Sequence, residues 1–240
     1  MPYLNWISDE DLVKHTSVLL NAAETAKKTK SKQFFKNVID PFQAIFEMSG
    51  YAIGHEEWRE GELARQVGKA VQNKIGEFHQ NILGSVEGWQ NLGTGEIVDL
   101  LSQEQKIIAE IKNKHNTVTG SKRVDVYDQL KGLVLPNNSR YNDFTAYFVN
   151  IIPKNTQPYD DCFTPPDNTT GNKRSAHELI RAIDGASFYA IVTQVPEALQ
   201  QLYSVLPSVI NDIRSYKVLN NDDIDVLEDY FERAYGENKS

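Results

Sequence analysis

A single cysteine, Cys162, stands among the 240 residues, so no disulfide can close within the chain. Long apolar runs are also missing. The longest, around Phe144 to Ile152 and Ala186 to Val192, are roughly half the ~20 residues that a membrane-spanning helix needs, and they contain polar residues. The start, Met1-Pro2-Tyr3-Leu4-Asn5-Trp6, lacks the basic and apolar regions of a signal peptide; with one thiol, this predicts a protein of the reducing cytoplasm. No glycine-rich phosphate loop occurs, so a nucleotide cofactor is not expected. Cations are in short supply as well: 25 Lys and Arg face 33 Asp and Glu, for a net charge of −8. That balance argues against a polyanionic partner only if it holds on the surface that meets the ligand. What is present, 40% hydrophobic and 24% charged residues, suits a globular domain, and we expect one α/β domain over residues 1–240.

Helical signals dominate the first part. Ser8 followed by Asp9, Glu10 and Asp11 has the chemistry of a helix start. The lysines from Lys27 to Lys36 suit a solvated face. From Glu62 to about Leu83, Leu63, Val67, Val71, Ile75, Phe78 and Ile82 recur at three- and four-residue steps, which predicts one long amphipathic helix. The pattern then changes. Ile97 to Leu101 and Lys106 to Lys112 are rich in β-branched residues and read as a hairpin around Ser102 to Gln105. A helix from about Lys122 to Leu133 and a strand from Thr145 to Ile152 follow. The stretch Lys154 to Asn172 reads as a long loop, and Ser175 to Tyr235 as mostly helical, with Pro196 and Pro207 near helix starts. The core of the fold is expected over about residues 62–153.

Alternation in the strand Lys106 to Lys112 puts Ile107, Ala109 and Ile111 on one face, expected to be core. Ile108, Glu110 and Lys112 lie on the other. Asp99 interrupts the neighbouring apolar run. Two carboxylates and a lysine converging on a strand pair suit metal-assisted phosphodiester hydrolysis: the acids are hard ligands for Mg²⁺, and the ammonium orients water or meets developing charge. The bland alternative is a strand edge with solvated charges. The preceding helix carries two further acids, Glu62 and Glu77. After Lys112 come Lys114, His115, Asn116, Thr117, Ser121, Lys122 and Arg123, a dense set of phosphate and base-edge donors. Lys173, Arg174 and His177, expected at a helix start after the long loop, form a second candidate DNA contact. The aromatic residues Trp6, Trp58, Trp89, Phe188, Tyr189 and Tyr203 read as core.

Asp99, ten residues, then Glu110-Ile111-Lys112 resembles the PD-(D/E)xK nuclease motif, with Val98 where the motif has proline. The resemblance implies that Asp99 and Glu110 bind the metal, that Lys112 is the catalytic lysine, and that an acid of the preceding helix, Glu77 being better placed than Glu62, serves as an accessory metal ligand. Three wider stretches, Gly95 to Asp99, Ala109 to Thr117 and Ile183 to Thr193, are similar to the type II restriction endonucleases that cut GGNCC and GGWCC sites. This likeness implies a restriction-endonuclease-like core, a mixed central sheet flanked by helices, with helical elaborations at both ends. It further implies a Mg²⁺-dependent homodimer acting on double-stranded DNA and leaving 5′-phosphates. A structure-specific repair or recombination nuclease and a non-catalytic DNA-binding regulator are the competing readings.

Overall fold

Ser8 does cap the first helix, its hydroxyl accepting from the Asp11 amide at 3.1 Å. The computed structural model describes residues 1–93, 95–167, 171–216 and 218–236. In chain order the helical N-terminal part comprises α1 (Asp9–Lys32), a 3-10 turn (Phe34–Lys36), α2 (Pro41–Tyr51) and α3 (His55–Gly84). The long predicted helix is therefore present as α3 and starts one or two turns earlier than its apolar stripe. Its buried face includes Phe78, Ile82 and Leu83, and α1 packs along it. It ends at Gly84 because the next strand comes so near that a Cβ there would lie 2.6 Å from the Asn91 backbone nitrogen.

The hairpin forms with both strands shifted toward the C-terminus, so that Asp99 lies just before the first of them. Strands β1 (Gln90–Asn91), β2 (Leu100–Ser102) and β3 (Ile107–Lys114) are consecutive and antiparallel, with Leu100 opposite Ala109. Helix α4 (Gly120–Val134) then crosses over to β4 (Thr145–Ile152), which lies parallel to β3. The expected long loop contains β5 (Asp160–Cys162) and a two-stranded ribbon of β6 (Pro166–Asp167) and β7 (Asn172–Lys173); residues 168–170 of that stretch lie outside those described. The helical reading of Ser175 to Tyr235 misses one central strand. β8 (Ile180–Asp184) pairs parallel to β4 and precedes α5 (Gly185–Thr193), α6 (Ala198–Arg214) and α7 (Asn221–Tyr235), with Lys217 outside the described residues. Pro207 is inside α6 and not near its start, so Tyr203 loses one helical amide donor.

The six-stranded sheet runs β1-β2-β3-β4-β8-β5 and therefore continues past Pro153. Both of its faces are covered. One cluster joins Phe78, Ile82 and Leu83 of α3 to Ala109, Ile111, Val149, Ile183 and the helices after β8. The other joins Tyr127, Leu130 and Val134 of α4 to Ile108, Ala146, Phe148 and Ile180. The face of β3 that carries Glu110 and Lys112 is thus core at Ile108 and polar only toward its C-terminal end, a correction to the expected division. Mixed α/β architecture with helices on both faces of a central sheet is as expected. No helix among the described residues is long and apolar enough to cross a membrane.

Candidate active site

Asp99 immediately precedes β2, and its carboxylate neighbours that of Glu110 on β3. The Asp99 amide donates to the Ala109 carbonyl at 2.9 Å, and the Asp99 side chain reaches across to accept from the Ile111 amide at 2.6 Å. This cross-strand bond orients the carboxylate. On β3, Lys112 Nζ donates to Glu110 Oε1 from two residues along the same face; both side chains are largely buried. Burial raises the Asp99 carboxyl above its ordinary range, against the pull of the Ile111 amide and Lys112. Glu110 is raised as well, first by burial and then by the neighbouring Asp99 charge, with Lys112 opposing. Two carboxylates held together at this cost are a ready receptor for a cation. Their hard oxygen donors suit Mg²⁺, which commonly takes one or two protein carboxylates and fills its remaining positions with water and substrate phosphate.

Helix α3 reaches this site, though through a different residue from the one expected. Gln80 lies beside the Asp99 carboxylate. Glu77, one turn earlier, is exposed and paired with Lys74 at 2.5 Å. Glu62 is buried near the other end of the helix and holds Arg65 through two bonds of 2.7 and 2.8 Å, which lower its carboxyl below the usual range. Among the described residues no three His, Cys, Asp or Glu side chains are grouped to hold a metal, so Glu77 does not complete a three-acid cluster. Gln80 was hidden because the helical pattern defines a stripe and leaves open which turn faces the strand end.

A further polar residue comes from β4. Asn150 stands in register with Lys112 on one side and Asp184 on the other. Its Nδ2 donates to the Tyr159 hydroxyl at 2.9 Å, while its buried Oδ1 has no partner among the described residues. Only the strand pairing reveals this neighbour, 38 positions from Lys112 in the chain.

The segment after β3 leaves the sheet at the same end. The His115 amide donates to the Ile152 carbonyl at 3.0 Å, and the Lys114 amide to the Thr117 hydroxyl at 3.2 Å. Lys114, Asn116, Thr117, Ser121 and Lys122 are exposed; His115 is half-buried, with Nδ1 unpartnered. Thr119 occupies the cap position of α4. Arg123 turns inward, its guanidinium carbon 5.6 Å from the Phe148 ring and 5.7 Å from the Phe163 ring, which stack on each other at 4.6 Å.

The second candidate contact is organised differently from expectation. Lys173 and Arg174 lie on and just after β7, and no helix begins there. Arg174 bridges Asp128 of α4 at 2.7 Å and Asp167 of β6 at 3.1 Å, so its charge is engaged in tying the ribbon to the core. Lys173 is exposed. His177 Nδ1 accepts from the Leu179 amide at 3.2 Å in the turn that enters β8.

Known proteins are similar to this chain along nearly its whole length. The family described as Eco47II restriction endonuclease matches residues 4–215. The chain is 49% identical over 240 residues to the type II restriction enzyme Eco47II of Escherichia coli, covering 98% of this chain and 100% of that one. It is 31% identical over 245 residues to the type II restriction enzyme Sau96I of Staphylococcus aureus, covering 99% and 92% of the two chains. With its family match and these relatives extending over nearly the whole chain, the protein belongs to the Eco47II restriction endonuclease family, a family of type II restriction enzymes.

Proposed function

We propose that this type II restriction endonuclease hydrolyses both strands of a short double-stranded DNA site, of the GGNCC or GGWCC type, and leaves 5′-phosphates. The observation that supports the reading best is the proximity of the Asp99 carboxylate, at the entry to β2, to Glu110 on β3, with Lys112 bonded to Glu110. This is the arrangement expected of a PD-(D/E)xK core. Asp99 and Glu110 would hold Mg²⁺, which, when bound, supplies positive charge that polarises the phosphoryl group. Lys112 orients the attacking water and stabilises charge on the phosphoryl oxygens. Asn150 Oδ1 offers the ammonium a second acceptor in register when Glu110 is engaged as a ligand. Gln80 steadies Asp99 from the helix side.

Substrate contact falls to residues that follow the catalytic strand directly. Lys114 and Lys122 are placed to meet phosphates. Asn116, Thr117, Ser121 and His115 supply groups that can bond bases or backbone. Lys173 and Arg174 complete the candidate surface, with Arg174 acting mainly through the ribbon it anchors, whereas Arg123, turned onto the Phe148 and Phe163 rings, supports the loop from within. Two copies of the chain, related by a two-fold axis, would present one site to each strand of a symmetric sequence.

Incubation with a plasmid of known sequence and Mg²⁺ tests the proposal. Discrete fragments whose ends map to one short sequence are expected, with none in EDTA. Preferential cutting of branched or mismatched DNA would favour a repair nuclease instead, and absence of any metal-dependent nicking would overturn the catalytic assignment.

A further inference from the structure

Helix α2 contains eleven residues, and none of them is buried. So short a helix is marginal in water unless a packed face supports it. Its tie to the rest of the fold includes the Trp58 indole of α3, which donates to Glu47 Oε2 at 2.8 Å. Phe35, Phe42, Phe46 and Tyr51 are between 69% and 78% exposed, and Val38 and Ile45 add to the same stretch. With full aromatic side chains covering 150–250 Å² each, the four rings alone leave on the order of 600 Å² of apolar surface in water. That is at the upper end of the largest patch of an ordinary monomer. With Val38 and Ile45 included it approaches the roughly 800 Å² that each partner contributes to a stable interface.

The patch also has the shape of something that meets itself. A groove of about 450 Å³ is lined by Phe34, Ile39, Ile45, Met48 and Trp58. Phe42 and Phe46, one turn apart on α2, are exposed and do not line that groove, although their chain neighbours Pro41 and Ile45 do. Knob and hole on one surface satisfy an isologous contact, in which each copy's projecting rings enter the other's groove. Between Phe34 and Tyr51 the charges are Lys36, Asp40 and Glu47, so a phosphate backbone finds little to bind.

We infer that the apolar surface from Phe35 to Tyr51 is where a second copy of this chain docks, with Phe42 and Phe46 inserted in its partner's groove. The assignment rests on the two-copy reading above and names the surface that makes it. Sedimentation of the full chain without DNA or metal, beside the double variant Phe42→Glu/Phe46→Glu, tests it. Wild type is expected as a dimer, and the variant, with unchanged circular dichroism, as a monomer whose dissociation constant has risen on the order of 100-fold or more. Amide exchange of wild type above and below its dissociation constant should show α2 protected only in the dimer, a readout that holds even if the variant fails to fold. A wild-type dimer with α2 unprotected, or a folded variant that stays dimeric, overturns the surface and leaves the two-copy reading intact. A wild type that is monomeric both free and on cognate DNA overturns both, and protection of α2 by DNA alone assigns the patch to the duplex.

Discussion

The Lys112 ammonium is bonded to the Glu110 carboxylate, and the same carboxylate lies beside that of Asp99. Lys112 is therefore the cation that allows two acids to remain together in a largely buried place. Lys112→Ala should abolish cleavage and leave specific DNA binding, because it removes charge stabilisation at the phosphoryl group and not the contact loop. Paired cleavage and gel-shift assays check this, and activity within tenfold of wild type would remove Lys112 from the mechanism.

Asp99→Asn should separate stability from catalysis. A carboxyl whose pKa is raised on folding binds its proton more tightly in the folded state, so ionisation destabilises the fold above the unfolded value, about 3.9 for aspartate. The amide keeps an oxygen for the Ile111 N–H and removes one of two repelling charges. Melting in EDTA should therefore rise at pH 7, and the gain over wild type should shrink as pH falls toward 4. Cleavage should be lost. A variant less stable than wild type at pH 7 would show that Asp99 matters chiefly as an ionised bond acceptor.

Acid should weaken the fold through His79. Burial against Phe78 and Tyr189 lowers this imidazole from 6.5 to about 4, and its Nδ1 lies 2.7 Å from the Tyr189 hydroxyl. Its folded pKa is depressed, so the neutral ring contributes full stability above pH 6.5 and loses it as pH falls from there through about 4. The loss amounts to at most about 3 kcal/mol. Urea titrations at pH 7 and pH 4.5 on wild type and His79→Gln provide the measurement, with the variant showing the flatter pH dependence. Equal slopes would exclude His79 as the source.

Lys114 and Lys122 should behave differently from Arg174. Neutralising either exposed lysine should weaken binding to all sequences alike and make the slope of log K against log salt shallower by about one unit. Arg174→Gln should lower the melting temperature by breaking its bridges to Asp128 and Asp167, while the salt slope stays at its wild-type value. A shallower slope for Arg174→Gln would put its guanidinium on phosphate.

Much of this molecule was legible one element at a time. Apolar steps of three and four residues marked α3, the β-branched run at Thr145–Ile152 marked β4, and alternation alone put Glu110 and Lys112 on one face of β3. Each of these depends on periodicity within a single element, which the order of residues determines by itself. The tertiary structure decided the rest. Strand β8 escaped notice because it is five residues long and carries Arg181, whose charge is met only when β5 brings Asp160 to 2.6 Å. Gln80 in place of Glu77 beside Asp99 follows from how α3 sits on the sheet, and Asn150 beside Lys112 from the register of two parallel strands joined through a helix. Arg174 reads as a free cation in the chain and is bound to two acids in the fold. Pattern within an element is local, whereas register, docking and charge pairing are contacts between residues far apart in sequence, and those are set by which packing buries both sheet faces at once.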